Sequence, residues 1–364
     1  MKIENEKIVI IMPSLSSGGA ERVISILANN WVEKGYDVNL ILWNAENRFY
    51  TINKNINVID LNFRYKNRVE RLYKQLIVIY SLRQQLKRLK PKFVLSFLSL
   101  NNIVTLISSL FLDTKIIISE RNNPKELNID LSKKLFFIRR FLYKNFANAI
   151  VCQTELAKEL ISKEFPKIRI SSIPNPIKMT NIDRNSVEEN LLLNIGRLHP
   201  QKGQLDLLDI VSKLKTKNFK LIILGEGDLR NELEIKIKKL NLERNVFLKG
   251  AVDNINEWLS KSSIFVFSSK YEGFPNALAE AMIAGVPSIS YDCDTGPKEL
   301  IKDSINGFLI NLDDKQNFTN KINLLLSDKE LRNKFSTESK KLIHELNEDI
   351  ISEKYLNFCM ENSK

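Results

Sequence analysis

Short apolar runs alternate with helix-length segments along almost the whole chain, and this alternation occurs twice. In the first half the predicted strands are residues 7–13, 37–43, 57–61, 93–98, 115–120 and 149–154. In the second half they are residues 191–196, 220–225, 246–250, 264–269, 286–291 and 307–310. Such a pattern is typical of parallel sheets that helices cover on both faces. It predicts an α/β chain with two doubly wound, Rossmann-like domains that face a cleft, where ligands of such sheets bind.

The chain has 364 residues, which is too long for one ordinary core. The segment 171–186, SSIPNPIKMTNIDRNS, carries two prolines and a polar tail without periodic apolar residues, so it is the predicted linker. We therefore expect one domain over residues 1–172 and a second over residues 173–347, followed by a last helix within residues 348–364.

Several classes of protein are disfavoured by simple features of the sequence. The three cysteines, Cys152, Cys293 and Cys359, are far apart and fit a reducing cytosol better than a disulfide framework or a zinc site. The first residues have a charged lead into a short apolar run, which predicts a strand and not a signal peptide. Residues 93–112 are too polar for a membrane span. A cytoplasmic protein is expected.

The net charge of +12 is concentrated in one part of the chain. Residues 62–145 hold 18 Lys or Arg against 5 Asp or Glu, a net of +13. Within them, residues 132–146 are predicted to form a helix on which Lys133, Arg140 and Lys144 share a stripe. Five aromatic residues occupy most of the remaining helix surface and suggest that the helix is buried on more than one side: Phe136, Phe137, Phe141, Tyr143 and Phe146. Such a helix can lie on an anionic membrane, receive a polyphosphate, or simply be solvated.

Residues 271–285, YEGFPNALAEAMIAG, follow a predicted buried strand and describe a tight loop and a helix. Pro275 is a favoured first helical residue, and the alanine-rich track after it has high helix propensity. A helix start leaves backbone N–H groups free for an anion or for sugar hydroxyls. Glu272 in the loop and Glu280 about two turns along could accept hydrogen bonds from a ligand.

Three further loops follow predicted strands and suit a phosphate ligand. Gly18 and Gly19 follow the first strand, but they do not form the G-x-G-x-x-G dinucleotide pattern, which disfavours a nicotinamide enzyme. In GRLHPQKG, residues 196–203, two cations lie in a glycine-bounded loop and suit a diphosphate. In GEGDLRNELE, residues 225–234, two glycines bracket Glu226.

These glycine loops, GRLHPQKG and EGFPNALAE occur in the order shown by retaining glycosyltransferases of family 4, and over residues 8–310 the chain resembles them. The resemblance implies the GT-B architecture, with an acceptor-binding first domain, a donor-binding second domain, and a last helix, residues 350–360, that crosses back onto the first domain. The segments SSGGAERV, ISERNNP, IPNP and DCDTGPKELI resemble bacterial enzymes that build capsule, O-antigen or N-glycan precursors on polyprenyl diphosphate.

The resemblance also implies roles for individual residues. Arg197, Lys202 and Glu272 form the expected catalytic group, in which the two cations hold the donor diphosphate and stabilise its developing charge. Glu280 is expected to bind the ribose, and Glu272 with its neighbours to hold the donor sugar. The remaining expected donor contacts are Gly18, Gly19, Gly196, Gly225, Glu226, Gly227, Phe274, Pro275 and Asn276.

One position departs from the family. Many relatives carry a histidine where this chain has Arg121, and arginine cannot act as a base. Glu120 and Arg121 are therefore assigned to donor or acceptor binding, and the basic residues Lys133, Arg140 and Lys144 to the acceptor or the membrane.

The expected activity is metal-independent, retaining transfer of a hexosyl or N-acetylhexosaminyl group, with no cofactor. The expected donor is UDP-GalNAc, UDP-GlcNAc or UDP-Gal, and the expected acceptor is an oligosaccharide on polyprenyl diphosphate at the inner face of the cell membrane. Three alternatives stay open. They are a UDP-sugar epimerase of the same architecture, a manganese-dependent transferase using Asp292 and Asp294, and a nucleic-acid-binding protein, the last disfavoured because no base-reading module is present.

Overall fold

A computed structural model describes residues 6–16, 18–46, 48–121, 133–178 and 182–363, with the backbone alone at positions 68, 69, 71, 72 and 133. The chain divides into two compact units. Unit 1 comprises residues 1–176 together with 348–364, and unit 2 comprises residues 177–347.

Unit 1 is built on a seven-stranded sheet in which all paired neighbours are parallel, with the order β3-β2-β1-β4-β5-β6-β7. Its strands are β1 Lys7–Met12, β2 Asp37–Leu42, β3 Asn57–Asp60, β4 Phe93–Phe97, β5 Ile116–Ser119, β6 Ala149–Cys152 and β7 Arg169–Ser172. The central strands are buried over nearly their whole length, as expected for a parallel sheet with helices on both faces.

The described helices of unit 1 are α1 Gly19–Glu33, α2 Arg68–Leu89, α3 Ser99–Ser109, α4 Lys133–Phe146, α5 Glu155–Glu164 and, from the end of the chain, α14 Glu348–Glu361. Helix α1 buries Val23, Ile24, Leu27 and Trp31 at the spacing of one helix face. Helix α3 packs against both α2 and α4.

The last helix of the chain completes the core of unit 1, which confirms that it returns to the first domain. Helix α14 packs on α1, and Ile351, Tyr355 and Cys359 are fully buried there. The indole Nε1 of Trp31 donates to the carbonyl of Ser352 at 3.2 Å, and Asn30 bonds to Asp349 at 2.7 Å. Unit 1 is therefore assembled from both ends of the chain.

Unit 2 contains a six-stranded parallel sheet with the order β10-β9-β8-β11-β12-β13. Its strands are β8 Leu191–Ile195, β9 Lys220–Leu224, β10 Val246–Gly250, β11 Ile264–Phe267, β12 Ser288–Asp292 and β13 Phe308–Asn311. Its helices are α6 Gln204–Ser212, α7 Arg230–Lys239, α8 Ile255–Lys261, α9 Asn276–Ile283, α10 Pro297–Leu300, α11 Lys315–Ser327, α12 Lys329–Lys340 and α13 Ile343–Leu346. The two parallel α/β units confirm the predicted pair of doubly wound, Rossmann-like domains.

The structure differs from the sequence-based expectations in three places. Strand β7 lies partly inside the predicted linker; its sequence RISS has no apolar run because it is a half-exposed edge strand. Helix α9 begins at Asn276, since Pro275 has a non-helical ψ of 73°. The expected burial of α4 on more than one side is wrong, because Phe137 and Phe141 are 67% and 61% exposed.

Candidate active site

Four loops of unit 2 begin at the carboxyl ends of neighbouring strands. They follow β9, β8, β11 and β12, which lie side by side in that order, so the loops gather at one edge of the sheet. Between β8 and β11 the strand order reverses, and this switch point is where open parallel sheets bind their ligands. The motifs GRLHPQKG, GEGD and YEGFPNA all fall in these loops.

The loop after β9 packs closely on the loop after β8, and its glycines make this possible. Gly225 has a φ of +139°, and a Cβ there would lie 2.1 Å from the carbonyl oxygen of Gly196. A Cβ on Gly227 would lie 2.3 Å from the carbonyl oxygen of Leu198. The backbone N–H of Leu198 donates to the carbonyl of Glu226 at 2.9 Å. These two predicted site glycines therefore set the position of the GRLHPQKG loop.

The carboxylate of Glu226 is bound within its own segment. It accepts a hydrogen bond from Arg230 Nη1 at 2.8 Å, one helical turn away, and its side chain is 53% exposed. The position of Glu226 beside the GRLHPQKG loop is thus fixed chiefly by its backbone, whose carbonyl accepts from Leu198.

The loop after β8 is also joined to the loop after β11. Gly203 has a φ of +65°, and a Cβ there would lie 2.1 Å from the carbonyl oxygen of Ser268. The hydroxyl of Ser268 donates to the carbonyl of Lys202 at 2.9 Å, and the side-chain amide of Gln201 donates to the carbonyl of Tyr271 at 2.8 Å. Sequence reasoning did not assign Ser268 or Gln201; the only available signals were that Gln201 lies inside GRLHPQKG and that Ser268 lies between strand β11 and the motif beginning at Tyr271.

Lys202 and Glu272, which are 70 residues apart, form an ion pair between these loops. Lys202 Nζ lies 2.6 Å from Glu272 Oε1, with side-chain exposures of 21% and 6%. The side chain of Lys202 runs over Gly196, where a Cβ would lie 3.3 Å from its Cγ and Cδ. The structure thus brings together two of the three predicted catalytic residues.

The loop after β12 contacts the backbone of Glu272. The hydroxyl of Thr295 donates to the carbonyl oxygen of Glu272, and Cys293 is buried beside it. Burial, together with the charges of Glu272 and Asp292, raises the pKa of the Cys293 thiol to about 12. Cys293 is therefore a neutral packing group at neutral pH. Thr295 was not assigned from the sequence, although it lies in the segment DCDTGPKELI.

Arg197 lies in the same loop as Lys202 and is exposed. Over the described part of the chain its guanidinium has no hydrogen-bond acceptor or ion-pair partner. His199 is used locally, since its Nδ1 accepts from the backbone N–H of Gln201 at 3.2 Å. The loop therefore presents one paired and one unpaired cation at the edge of the sheet.

Helix α9 begins at the same edge. Phe274 and Pro275 are buried before it, and Gly296, with a φ of +100°, lets the next loop approach; a Cβ there would lie 2.4 Å from Pro275 Cδ. The backbone N–H groups of Ala277 and Leu278 have no acceptor among the described residues. A helix start with free N–H groups favours an anion or a hydroxyl oxygen. Asn276 and Glu280 lie on this helix and are half-buried.

The predicted glycine pair of unit 1 lies at the start of α1. Gly18 precedes the helix with an ordinary φ of −81°, and Gly19 is its first residue. The hydroxyl of Tyr50 donates to the carbonyl of Gly18 at 3.2 Å. The three atoms nearest to a Cβ on Gly18 would belong to the flexible carboxylate of Glu21. The backbone geometry of Gly18 thus does not itself require glycine.

Glu120 is buried in unit 1 and its carboxylate is already occupied by neighbours. It accepts from Ser99 Oγ at 2.8 Å, from Arg139 Nε at 3.1 Å and from the hydroxyl of Tyr143. Arg139 is fully buried and also binds both carboxylate oxygens of Glu164 at 3.1 Å. These contacts hold β5, α4 and α5 together, so they account for Glu120 as part of the fold; its role in ligand binding stays a prediction.

The pKa values of this buried cluster favour a charged Arg139 and a neutral Tyr143. Burial lowers the pKa of Arg139, but the charges of Glu120, Tyr143 and Glu164 outweigh it and leave the pKa above its usual range. Burial, and then Glu120, raise the pKa of Tyr143 well above its usual value. Sequence reasoning did not single out Arg139; only its spacing of four from Tyr143 on one helix face marks it.

Arg121 is buried within unit 1, between the IPNP segment and α14. Its Nη1 donates to the hydroxyl of Tyr355 and its Nη2 to Asn175 Oδ1, both at 2.9 Å. Its guanidinium also lies over the ring of Phe97, 4.8 Å from the centroid. Arg121 therefore joins β5, the IPNP segment and the last helix, and its predicted part in donor or acceptor binding stays a prediction.

The predicted basic stripe of α4 is only partly described. Arg140 and Lys144 are exposed, while the side chain of Lys133 lies outside the described residues. Exposed apolar side chains accompany them on α4 and on α2: Phe137, Ile138, Phe141, Tyr73, Leu76 and Tyr80.

Two further properties of the described residues concern membranes and metal ions. No helix among them is both long and apolar enough to cross a membrane. Their His, Cys, Asp and Glu side chains form no group of three or more that could hold a metal ion.

Comparison with known proteins gives two family matches. Residues 17–180 match the model Glycosyltransferase Family 4, and residues 178–342 match Glycosyl transferases group 1. The chain is 31% identical over 362 residues to the GalNAc-alpha-(1->4)-GalNAc-alpha-(1->3)-diNAcBac-PP-undecaprenol alpha-1,4-N-acetyl-D-galactosaminyltransferase of Campylobacter jejuni, covering 98% of both chains.

Two other similarities are informative. The chain is 30% identical over 202 residues to the UDP-Gal:alpha-D-GlcNAc-diphosphoundecaprenol alpha-1,3-galactosyltransferase of Escherichia coli, covering 50% of this chain and 52% of that one. Among solved structures, the sucrose-phosphate synthase of Thermosynechococcus elongatus superposes with a TM-score of 0.84 at 15% identity, covering 97% of this chain and 98% of that one. This structural likeness supports the fold.

Proposed function

The chain belongs to glycosyltransferase family 4, and we propose that it transfers a sugar from a UDP-linked donor to an acceptor carried on polyprenyl diphosphate, with retention of configuration and without a metal ion. The relative from Campylobacter jejuni is named for an undecaprenol-diphosphate-linked acceptor and the one from Escherichia coli for a UDP-sugar donor. The proposal for the donor class is UDP-GalNAc, UDP-GlcNAc or UDP-Gal.

The observation that carries the proposal is the Lys202–Glu272 pair at the switch point of the second sheet. The ammonium group of Lys202 is held by the buried carboxylate of Glu272 at the edge where the ligands of parallel sheets bind. Together with the unpaired guanidinium of Arg197, it supplies two positive charges in one loop. Two cations suit a diphosphate, which carries charge on both phosphoryl groups.

The chemistry asked of these residues is electrostatic. As the bond between the sugar and the diphosphate breaks, negative charge develops on the leaving phosphoryl oxygen, and Arg197 and Lys202 stabilise it. A phosphoryl oxygen of the leaving group takes the proton of the attacking acceptor hydroxyl on the same face of the sugar. This path needs no protein nucleophile, and the two cations take the part that a metal ion plays in other transferases.

The donor sugar and the ribose are assigned to the loop after β11 and to α9. Glu272 has one carboxylate oxygen bound to Lys202, and its second oxygen is proposed to accept hydroxyl groups of the sugar. The free N–H groups of Ala277 and Leu278 are proposed to face phosphoryl or hydroxyl oxygens. Glu280, about one turn into the helix, is proposed to bind the ribose. Phe274, Pro275 and Asn276 shape this loop, and Gly18 and Gly19 are proposed to add donor contacts from unit 1.

The acceptor is proposed to be bound by unit 1 at the surface of an anionic membrane, on its cytoplasmic side. Helix α4 exposes Phe137 and Phe141 beside Arg140 and Lys144. Aromatic side chains insert into the interface of a bilayer, and each lysine or arginine near an anionic surface adds about 1 kcal/mol. The same basic residues suit the diphosphate of a polyprenyl-linked acceptor.

Donor binding and transfer are tested in two steps. Thermal stability is measured with UDP-, GDP- and CDP-sugars, and a rise with UDP-sugars alone is expected; indifference to all of them would overturn the donor assignment. The stabilising sugar is then incubated with a polyprenyl-diphosphate-linked glycan, with and without a chelator. Transfer at an unchanged rate in chelator, with an α-linked product from an α-linked donor, is expected. An epimerised free sugar without transfer would point to an epimerase instead.

A further inference from the structure

Unit 2 contains a basic cavity at the edge of its sheet opposite to the candidate active site. The cavity has a volume of about 370 Å³, and we call it the amino-edge cavity because Ser263 and Pro287, which line it, directly precede strands β11 and β12. Glu189, just before β8, also lines it. All loops of the candidate active site follow the other ends of these strands, so the two places do not overlap.

Four cations surround the amino-edge cavity, against the single carboxylate of Glu189. They are Arg184, Lys329, Arg332 and Lys340. Lys329, Arg332 and Lys340 all belong to helix α12. Their spacings of three and eight residues place them along one side of the helix, together with Asn333 and Ser336. The lining therefore carries a net charge of about +3 at neutral pH.

Within the described residues, none of these four cations has a carboxylate partner. Arg184 donates to the carbonyls of Leu259 and Ser262 at 2.7 and 2.8 Å, and Arg332 to the carbonyls of Leu325 and Leu326 at 2.6 and 3.1 Å. Other lysines of unit 2 do pair with carboxylates: Lys202, Lys236, Lys261, Lys270, Lys315 and Lys341. Several further lysines of unit 2, such as Lys238 and Lys249, have no carboxylate partner among the described residues either, so the cluster is distinguished by the placement of four cations around one cavity.

Capping of helix ends explains part of this arrangement. The carbonyls that hold Arg184 and Arg332 belong to the ends of α8 and α11, where cations are favoured. Capping does not explain Lys329 and Lys340, which have no acceptor among the described residues. It also leaves Arg184 half-buried without a counter-ion, and burial lowers the pKa of its guanidinium to about 10.

We propose that the amino-edge cavity is a second binding site, for a compact anion that carries a phosphate monoester or diphosphate group. Such a group offers two or more negative charges and several acceptor oxygens to cations arranged around a concave surface. A cavity of about 370 Å³ holds a small molecule or a lipid head group. Because this cavity lies away from the donor loops, the inference does not depend on the proposed transferase activity.

The test compares two charge-matched double variants of the full chain. Lys329→Gln/Lys340→Gln removes two cations from the cavity, and Lys239→Gln/Lys334→Gln removes two exposed lysines outside it. Binding of sodium pyrophosphate is measured by calorimetry at fixed ionic strength with saturating UDP. Both variants keep Arg197 and Lys202, so any pyrophosphate bound at the candidate active site is the same in both. The expected result is binding about tenfold weaker in the cavity variant than in the control.

A parallel measurement identifies the source of the phosphate group. Both variants are floated with vesicles of phosphatidylcholine that contain phosphatidic acid. A difference with pyrophosphate supports a soluble phosphate compound, and a difference with vesicles alone supports a lipid head group. Equal binding of the two variants to both probes, within about twofold, would overturn the proposal. Asn333→Asp, which adds a negative charge to the lining and removes no cation, should weaken the same binding and provides an independent check.

Discussion

At the scale of single residues, Lys202 is positioned by the carboxylate of Glu272 and by Gly196, which has no side chain to obstruct it. Glu272 Oε1 lies 2.6 Å from its ammonium group, and Gly196 leaves room for its methylene groups. A lysine fixed in this way loses little conformational entropy when it binds a further anion. In the proposed function, the pair prepares one positive charge for the diphosphate before the donor binds.

Lys202→Ala should therefore lower the rate of transfer by at least about 100-fold, the loss typical of removing one group that stabilises developing charge. The fold should be retained with reduced stability, because Lys202 lies in a loop outside the apolar cores of unit 2 but its loss leaves the buried carboxylate of Glu272 without its cation. Transfer rates and the circular dichroism spectrum are compared with those of Lys239→Ala, which removes an exposed lysine from α7. A rate within about tenfold of the wild-type rate would contradict the assignment of Lys202.

At Gly225 a larger residue is disfavoured both by the lack of room for a Cβ and by the positive φ. Comparison with Gly35 distinguishes these two causes. Both have a positive φ, but a Cβ on Gly35 would meet no atom within 4 Å, whereas one on Gly225 would lie 2.1 Å from the carbonyl of Gly196. Gly35→Ala should cost about 1–2 kcal/mol of unfolding free energy through strain alone.

Gly225→Ala should cost more than Gly35→Ala, and it should also weaken donor binding because it displaces the loop that carries Arg197 and Lys202. Urea unfolding and calorimetric titration with UDP measure the two effects. Equal stability of the two variants, with unchanged UDP affinity, would show that the contact between the loops is not needed.

The residues of the candidate site could be selected from the sequence motifs, but many of the contacts that these residues make could not be predicted. The identity of Arg197, Lys202 and Glu272 was available from their motifs. The pairing of Lys202 with Glu272 was not, because it joins positions 70 residues apart. Glu120 was interpreted as a binding residue from its motif after strand β5, and its partner Arg139 comes from helix α4. Contacts of this kind depend on packing that no local pattern encodes.

At the scale of elements, helix α4 is fixed to the sheet of unit 1 by a buried charge network. Arg139 connects Glu120 at the end of β5 with Glu164 at the end of α5, and Tyr143 adds a hydrogen bond to Glu120. Removing one member of a buried pair leaves an uncompensated charge, which costs more than the pair itself contributes.

Arg139→Ala should therefore lower the free energy of unfolding by about 3–5 kcal/mol. Arg140→Ala is the matched control, because the adjacent side chain is exposed and its loss should change stability by no more than about 0.5 kcal/mol. Urea denaturation followed by circular dichroism measures both. Similar stability of the two variants would mean that the network contributes little to the fold.

The exposed aromatic residues of α4 lead to a separate prediction about binding to membranes. Phe137→Ser/Phe141→Ser should reduce binding to vesicles containing phosphatidylglycerol by about tenfold, because two aromatic groups are lost from the interface. Ile235→Ser, at a 68% exposed position on α7 of unit 2, is the control for loss of an exposed apolar group. Flotation with vesicles provides the measurement, and equal binding of the two variants would exclude α4 as the contact.

Most strands could be predicted because each contains a short apolar run, which in the central strands is buried on both faces. Strand β7 could not, since RISS at the edge of the sheet contains a single apolar residue. The aromatic residues of α4 were misleading for the opposite reason. Apolar character predicts burial, and Phe137 and Phe141 are exposed where a soluble fold would ordinarily bury them.

At the scale of the whole molecule, the chain leaves unit 1 once and returns to it once. The crossings lie between Pro176 and Ile177 and between Asn347 and Glu348. Ile177 and Asn347 are paired in unit 2, so that unit begins and ends at one place. Unit 2 is therefore continuous in sequence, while the core of unit 1 is incomplete until α14 has been made.

This asymmetry predicts how fragments of the chain behave. Residues 177–347 should fold alone, unfold in one cooperative transition and bind UDP, because that unit contains its whole sheet and both of its cores. Residues 1–176 should not fold stably, because Trp31 and its neighbours lose their cover of Ile351, Tyr355 and Cys359. Joining residues 348–364 to residue 176 through a short glycine-serine linker should restore folding at little entropic cost. Circular dichroism, urea unfolding and calorimetry distinguish these outcomes, and a cooperative unfolding transition of residues 1–176 alone would show that α14 is dispensable.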